Sequence, residues 1–314
     1  MHIPDGFLSA GVTAATWVAA TVGVASALRA EKADQNPMPA GILGATAAFL
    51  FAAQMINVPI APGVSGHLVG SALAVALLGP WRALIAMAVV LTIQAVLFQD
   101  GGISALGANI VDMGVAGVAA SYAVAAIVTR WTKSPRGFAV GIVVGAFVAT
   151  VAASVLTGVW LGLSGLYPFG AIVQILLVTH VAIGVLEAAL TGAILVTVLR
   201  WRPDLVRGLN PGHTVRHPAA AFVGILGIAA AVAAFISPFA SALPDGLESA
   251  ARSLGFAGRA HAAWPAPLAD YALPFAASGR VATAIAGTFG TIAVAILAWT
   301  ISRSLRATTD AIHR

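Results

Sequence analysis

Long runs of apolar residues alternate with short polar connections along most of the chain. Nine such runs lie at 9–28, 39–56, 64–79, 81–98, 108–129, 137–164, 169–199, 218–237 and 280–302. A helix needs about 20 predominantly apolar residues to cross the hydrocarbon core of a bilayer, and the third run is short for this purpose. The pattern predicts an all-α integral membrane protein with about nine transmembrane helices.

The composition agrees with a membrane protein and excludes several other classes. Of the 314 residues, 60% are hydrophobic and 9% are charged, whereas a soluble domain carries about 25% charged residues. The short connections leave no room for a separate soluble catalytic domain, and the net charge of +5 is better explained by membrane topology than by nucleic-acid binding. The chain has no cysteine, so any metal must be held by nitrogen or oxygen.

The distribution of basic residues predicts the orientation of the chain. Thirteen of the Lys and Arg residues lie in alternate connections, which places them on one side of the membrane. The other side has only Arg252, Arg259 and Arg280, which lie in or beside its one long loop. Because cytoplasmic loops are enriched in Lys and Arg, the amino terminus is expected outside and the carboxyl terminus inside. Residues 1–8 contain Asp5 but no Lys or Arg, so no signal peptide is expected and Met1 is predicted to be retained. The residues assigned to the cytoplasmic side are Arg29, Lys32, Arg82, Arg130, Lys133, Arg136, Arg200, Arg202, Arg207, Arg216, Arg303, Arg306 and Arg314.

A change in composition after residue 199 predicts a domain boundary. Residues 1–200 are expected to form a domain of seven helices, and the Pro-, Gly- and Arg-rich residues 201–217 a cytoplasmic linker. Residues 218–314 are expected to form a two-helix hairpin whose outer loop has roughly 40 residues. A loop of that length in a compact protein is usually functional or disordered.

The amino terminus carries the clearest candidate chemistry, in the sequence Met1-His2-Ile3-Pro4-Asp5. A free terminal amine, the deprotonated amide of residue 2 and the imidazole Nδ1 of His2 can bind one metal through fused chelate rings. Three coplanar nitrogens suit Ni(II), Cu(II) or low-spin Co(II) better than tetrahedral zinc. One position stays open, and His67 is the candidate to fill it, because the topology places the start of the third helix on the same face.

Other polar residues in the apolar runs are candidates because burying them in a membrane is costly. Six map to the outer ends of helices, where they are expected either to hold the ligands in place or to hydrogen bond between helices. His180 and Glu187 lie two turns apart on one face of the predicted seventh helix. They are candidates for a relay of protons or ions, but a buried structural contact with neighbouring helices is the favoured interpretation. His261, in the long loop, is a further candidate to assist metal capture. The six are Gln54, Asn57, Ser65, Gln94, Asn109 and Asp112.

Several of these residues lie in motifs that resemble a known family. Residues 1–9, the Ser65-Gly66-His67-Leu68 element, residues 100–109 and residues 180–187 resemble the M component, CbiM/NikM, of nickel and cobalt energy-coupling-factor transporters. The likeness covers about residues 1–200. Separately, Pro244-Asp245-Gly246-Leu247-Glu248 resembles the PDGLE signature of the small two-helix N component. The chain therefore looks like an M–N fusion.

The resemblance implies the substrate-binding membrane subunit of an ATP-driven importer, in which Met1, His2 and His67 bind the metal. It favours nickel over cobalt, with Ni(II) or Co(II) as the transported substrate and no permanent cofactor. The implied partners are a transmembrane coupling (T) subunit and cytoplasmic ATPase (A) subunits, in the plasma (inner) membrane of a prokaryote. The chain lacks a Gly-x-x-x-x-Gly-Lys-Ser/Thr phosphate loop, so it is not expected to be an enzyme.

Two other classes of function compete with this interpretation. An ATP-independent secondary metal transporter or channel would need ionisable groups along a path through the membrane, and only His180, Glu187 and Asp112 are available. A membrane metalloenzyme would need a general base and an open coordination site, and the His-Glu-x-x-His motif is absent. The transport subunit ranks first, the secondary transporter second and the enzyme third.

Overall fold

The computed structural model describes residues 1–34, 38–165, 168–207, 214–273 and 278–312, with side chains described as far as residue 305. Apart from one two-stranded hairpin, its regular structure is helical. The strands are β1 (Val58–Ala61) and β2 (Val64–Gly66). The helices are α1 (Ala10–Ala33), α2 (Ala40–Gln54), α3 (Ser71–Leu78), α4 (Pro80–Ile93), α5 (Leu106–Asn109), α6 (Gly117–Thr132), α7 (Pro135–Leu163), α8 (Phe169–Trp201), α9 (Pro218–Ala231), α10 (Gly246–Ser253) and α11 (Gly279–Ile312).

Seven helical segments of the described chain are long and apolar enough to cross a membrane. Three of them continue through π-helical turns, at Gln94–Phe98, Ile110–Ala116 and Val232–Ile236. The prediction of a helical multi-pass membrane protein is confirmed, but the count of nine transmembrane helices is not. The seven segments are Ala10–Ala33, Pro80–Phe98, Leu106–Thr132, Pro135–Leu163, Phe169–Trp201, Pro218–Phe239 and Gly279–Leu305.

The predicted third helix, 64–79, needs correction. Its first residues form β2, which pairs antiparallel with β1, and the helix α3 has only 8 residues, all of them buried. Gly70 (φ +83°) precedes α3 and Gly79 (φ +77°) ends it, in left-handed conformations that interrupt a helix at little cost only for glycine. His67 therefore lies in an extended segment before α3, not at the start of a helix.

The predicted second helix is shorter than a full membrane span. Helix α2 has 15 residues and is about 22 Å long, against about 30 Å for the hydrocarbon core of a bilayer. Twelve of its residues are buried within the protein. The apolar side chains of α2 therefore pack mainly against other helices, and few of them face lipid.

Small residues allow two of the long helices to approach closely. A Cβ atom on Gly141 of α7 would lie 2.7 Å from Ala125 Cα of α6, and one on Gly145 would lie 2.9 Å from the carbonyl oxygen of Ser121. Both distances are too short for a side chain. The backbones of α6 and α7 are therefore in the close contact that small residues permit in membranes.

The two ends of α1, about 36 Å apart, mark two different polar regions. At its carboxyl end, the buried Arg82 pairs with Glu31 (2.6 Å) and Asp34 (2.8 Å), and Arg207 also pairs with Asp34 (2.8 Å). This basic end joins α1, α4 and the segment after α8. At its amino end, residues 1–9 meet the loops that follow α2, α4 and α9.

A small hydrophobic cluster lies beneath the amino terminus. Ile3 and Phe7 pack with Leu247 of α10 and with Phe256, whose ring meets Phe7 edge to face at 5.1 Å. The first residues of the chain are thereby packed against the segment that carries the PDGLE string.

Parts of three predicted features lie outside the described residues. These are residues 208–213 of the predicted linker, residues 274–277 of the predicted long loop, and the side chains of Arg306 and Arg314. In the described part of the linker, the side chain of Arg202 donates two hydrogen bonds to the Asp204 carboxylate, at 2.9 and 2.8 Å.

Candidate metal centre

The amino-terminal segment is fixed by hydrogen bonds to the loop after α4 and to α5. The Ile3 amide donates to Asn109 Oδ1 (2.8 Å), and the Ile3 carbonyl accepts from Asn109 Nδ2 (3.1 Å) and from the Gly102 amide (2.9 Å). The Asp5 carboxylate accepts from the Ser104 amide (2.7 Å) and hydroxyl (2.5 Å). Asn109 therefore acts on the segment that positions Met1 and His2.

The structure brings the three predicted metal ligands together. The Met1 amine lies 3.2 Å from His67 Nε2, and the rings of His2 and His67 are nearly parallel (14°) with centroids 5.4 Å apart. Two nitrogen ligands at right angles, each about 2.0 Å from one ion, are about 2.8 Å apart. The spacing of the amine and His67 is thus close to that of two neighbouring ligands of one ion.

The hydrogen bond of His67 sets which ring nitrogen is free. Its Nδ1 lies 3.1 Å from the Leu68 carbonyl oxygen, which can only accept, so the proton is on Nδ1 and the Nε2 lone pair faces the amine. Burial, followed by the positive charges of the amino terminus and His2, lowers the pKa of His67 to about 3. His67 is therefore neutral at neutral pH, the form that binds a metal.

Two carboxylates that the sequence motifs contain, but that were not predicted to lie at the metal site, flank the centre. Asp100 Oδ1 lies 3.0 Å from His2 Nδ1, and Asp245 Oδ2 lies 2.6 Å from the Met1 amine. Both belong to recognisable motifs, but no spacing along the chain connects them to residues 1 and 2. Because His2 Nδ1 faces Asp100 here, the complete chelate requires the imidazole to turn toward the amine.

The surroundings of these two carboxylates keep them ionised. Burial raises the pKa of Asp100, but the charge of His2 and its hydrogen bond outweigh this effect, so the pKa lies well below its usual range. Burial likewise raises the pKa of Asp245, and the charge of the terminal amine and the hydrogen bond from the Glu248 amide more than reverse it. Two negative charges therefore flank the nitrogen donors.

The segment that carries His67 is anchored on both sides. On one side, the Ser65 amide donates to the Pro244 carbonyl (2.8 Å) and the Ser65 hydroxyl to the Leu243 carbonyl (2.6 Å). On the other side, Glu187 of α8 accepts from the amides of Val69 (2.6 Å) and Gly70 (2.7 Å). Glu187 is thus bonded to the segment that carries His67, and neither of these two bonds involves His180.

Two glutamines lie behind the loop that carries His67, and Asn57 bonds the segment that follows α9. Gln94 Nε2 donates to Gln54 Oε1 (2.8 Å), and Gln54 Nε2 donates to the Val69 carbonyl (2.7 Å). The backbone of Asn57 accepts from the Ser241 amide (2.8 Å), while its buried side-chain oxygen has no hydrogen-bond partner within the described residues. The two glutamines therefore support the backbone next to His67.

Asp112 lies away from the centre and joins two helical segments. Its carboxylate accepts from Thr157 Oγ1 (2.8 Å) and Trp160 Nε1 (2.7 Å), both on α7. His261 is exposed, and its amide donates to the Asp5 carbonyl (3.2 Å) while its Nδ1 lies 3.2 Å from the Arg259 carbonyl oxygen. Neither residue touches Met1, His2 or His67 through these contacts.

His180 of α8 lies just beneath the centre. Its Nδ1 bonds the Leu176 carbonyl (2.7 Å), and its buried Nε2 has no hydrogen-bond partner among the described residues. His180 borders a small cavity of about 10 Å³ that Met1, His67 and Asp245 also line.

A much larger cavity, of about 890 Å³, leads to the nitrogen donors. His2, His67, Asp100 and Asp245 all line it, together with Tyr271. In the described part of the chain, no group of three or more His, Cys, Asp or Glu side chains is placed to hold a metal ion.

The fold and this centre define a class of protein: a multi-pass helical membrane protein with a buried amine and two imidazoles at one end, reached through a cavity. Comparisons with known proteins specify the class further. Residues 2–205 match the family model described as the cobalt uptake substrate-specific transmembrane region, and residues 219–307 match the PDGLE domain.

Individual relatives cover both regions. The fused nickel transport protein NikMN of Rhodobacter capsulatus is 32% identical over 98% of this chain and 99% of its own length. The cobalt transport protein CbiM of Geobacter sulfurreducens is 34% identical over 66% of this chain and 61% of its own length. A crystal structure of a truncated transition metal transporter shares 30% identity and a TM-score of 0.56, covering 64% of this chain and 99% of that one.

The chain belongs to the CbiM family of metal-transport membrane proteins, and it carries a PDGLE domain in the same polypeptide. The resemblance of residues 1–200 to the CbiM/NikM component and of the PDGLE string to the N component is thereby confirmed.

Proposed function

We propose that the chain is the substrate-binding membrane subunit of an ATP-driven energy-coupling-factor importer for a transition-metal ion. The observation that carries this proposal is the meeting of the Met1 amine with His67 Nε2 at 3.2 Å, beside the His2 ring. The metal ligands are the Met1 amine, the His2 amide and Nδ1, and His67 Nε2. A transmembrane coupling subunit and separate ATPase subunits supply the energy.

The transported substrate is Ni(II) in preference to Co(II). Four nitrogen donors in one plane suit nickel, which accepts a square-planar geometry. The relative from Rhodobacter capsulatus, which matches almost the whole chain, is named as a nickel transport protein, whereas the cobalt transport protein of Geobacter sulfurreducens matches about two thirds of the chain.

In the proposed topology, the chain passes nine times through the plasma membrane of a prokaryote, with the amino terminus outside and the carboxyl terminus inside. Gln54, at the end of α2, lies by the His67 loop, and Arg82, at the start of α4, lies at the basic end. Helix α2 then carries the chain across in one direction, and residues 64–79, which combine an extended segment with the short helix α3, carry it back. Residues 1–200 form the metal-binding domain, residues 201–217 the linker and residues 218–314 the hairpin.

Substitution of His67 tests the proposed ligand set. We expect the purified full chain to bind one nickel ion, and His67→Ala to lower its affinity by at least about tenfold. The loss is limited because water can replace the fourth ligand while the chelate of residues 1 and 2 remains. His217→Ala, at an exposed position just before α9 and on the side opposite the centre in the proposed topology, is the matched control and should stay within about twofold of the original affinity. Equal affinities for both variants in calorimetry would contradict the proposal.

The pH dependence of binding follows from which donors carry protons. His67, with a pKa of about 3, is already neutral at pH 6, so protons must leave only from the rest of the ligand set, chiefly the amine and the His2 amide. We expect affinity to rise as the pH is raised from about 6 to 8. Proton release in weakly buffered solution should exceed one per nickel ion, and a value near zero would exclude ligation by the amide.

The secondary transporter remains the alternative function, with less support. The carboxylates of Asp112 and Glu187 each accept two hydrogen bonds from neighbouring groups, which gives each of them a structural role. His180 is thus the remaining candidate for a proton path among the three predicted ionisable groups. Nickel uptake by the chain alone, driven by a proton gradient in vesicles without ATPases, would favour this alternative.

A further inference from the structure

Asp245 is the point at which the PDGLE string touches the metal centre. Its Oδ2 lies 2.6 Å from the Met1 amine, and its Oδ1 accepts from the Glu248 amide at 2.8 Å, which caps the amino end of α10. The two oxygens therefore have separate roles, one in the helix cap and one in the centre. The Asp245 side chain is 22% exposed, and that of Met1 is 3% exposed.

The backbone around Asp245 is held in place from both directions. Before it, the carbonyls of Leu243 and Pro244 bond to Ser65 of β2. After it, Gly246 packs so closely on His180 that a Cβ atom would lie 2.7 Å from His180 Cε1. Asp245 is thus rigidly presented to the amine, which is the requirement for orienting a ligand.

The same contact is compatible with a bound metal. An amine that coordinates a metal through its lone pair keeps its N–H groups as hydrogen-bond donors, and an ionised carboxylate can only accept. The Asp245 carboxylate can therefore hold the amine before the metal arrives and continue to accept a hydrogen bond from it afterwards. Its negative charge also offsets part of the charge that a divalent ion brings into a buried centre.

We propose that Asp245 is a positioning residue of the metal centre, which orients the terminal amine for coordination through the contact at 2.6 Å. This inference rests on the proposed function, in that the amine is taken as a metal ligand. It gives the PDGLE string a defined role, because the string supplies a carboxylate from the second region of the chain to a centre whose ligands all lie in the first.

Three variants of the full chain test the proposal. Asp245→Asn keeps the shape of the residue and its ability to cap α10, but its one oxygen is used by the cap, so its NH₂ group faces the amine and cannot accept. Asp245→Ser also caps a helix but is too short to reach the amine. Glu248→Gln is the matched control, because it neutralises the next carboxylate of the same string, which pairs with Arg252 at the exposed surface.

Two measurements separate positioning from ligation. We expect Asp245→Asn and Asp245→Ser to lower nickel affinity about 10- to 100-fold, while the visible absorption band at saturating nickel keeps its position because the ligands are unchanged. Glu248→Gln should stay within about twofold of the original affinity. A shifted band in Asp245→Asn would make Asp245 a ligand and overturn the positioning role.

A metal-free measurement distinguishes failure of this inference from failure of the proposed function. Without metal, an amine-reactive ester should label the Met1 amine several-fold faster in Asp245→Asn than in the original chain or in Glu248→Gln. If the original chain binds no nickel, the proposed function fails and the positioning role falls with it. If it binds nickel and Asp245→Asn matches it in both affinity and labelling, only the present inference is overturned.

Discussion

Inserting the dipeptide Leu-Pro between Met1 and His2 is expected to lower nickel affinity by more than about 100-fold, although every side chain of the centre is retained. The proline nitrogen has no proton to lose and cannot coordinate, so the insertion breaks the fused chelate rings that join the amine to the imidazole. It cannot be absorbed further along, because both backbone groups of Ile3 are bonded to Asn109 and Gly102. Two extra residues, of up to about 7 Å, move the amine away from His67 and Asp245.

A single inserted residue would make the histidine third in the chain, where the amine, two amides and the imidazole can again chelate nickel, and the proline prevents this. Leucine precedes the proline because a small second residue promotes removal of the initiator methionine. The control is the same insertion between Lys133 and Ser134, in the turn between α6 and α7 at the far end of these helices. Calorimetry in detergent gives the affinities. Unaltered affinity after insertion at position 2 would exclude the amine chelate and leave ligation by the two imidazoles alone.

Truncation after residue 205 is expected to reduce nickel uptake by cells on the order of tenfold, while the visible absorption band of the purified protein at saturating nickel is preserved. The truncated chain loses the 238–279 loop. In the full chain, Asp245 of this loop contacts the Met1 amine and the Leu243 carbonyl accepts from Ser65, but the loop supplies none of the proposed ligands. The loss should therefore affect loading of the centre more than its geometry. A solved relative that spans only the corresponding region supports separate folding of this part.

Uptake is measured in cells that also contain the coupling subunit and the ATPases, with the full chain in the same cells as the control. Full uptake by the truncated chain would show that the loop is dispensable. Loss of the absorption band from a chain that remains folded would show that the loop supplies a ligand, and His261→Ala would then be the first variant to examine.

The sequence predicts the long membrane helices well and the short segments between them poorly. Runs such as 137–164 exceed the thickness of a bilayer and have no other stable conformation there. The run 64–79 is equally apolar, but its side chains pack inside the protein, where strands and extended segments are tolerated. Gly70 and Gly79 are the local signals of this difference, since a positive φ at Gly70 precedes α3 and a positive φ at Gly79 ends it.

The candidate centre is predictable as far as its chemistry is local. A free amine followed by histidine suggests a chelate by itself, and His67 requires only a topology that brings two ends together. Asp100 and Asp245 could not be assigned in this way, because their roles depend on contacts across 98 and 244 positions of the chain. Glu187 is a candidate from the sequence because burying an ionisable side chain in a membrane is costly. Its partners, the amides of Val69 and Gly70, are visible only in the fold.

His67 is suspended between two anchors that belong to different parts of the molecule. Ser65 is tied to the carbonyl before Asp245, and Val69 is tied to Glu187 in the middle of α8. The three residues between these anchors span no more than about 14 Å even when fully extended, so the tether has little slack. Movement of this imidazole away from the amine therefore requires the hydrogen bonds at one of the two anchors to break. Retention of the ion thus depends jointly on the PDGLE segment and on a membrane helix.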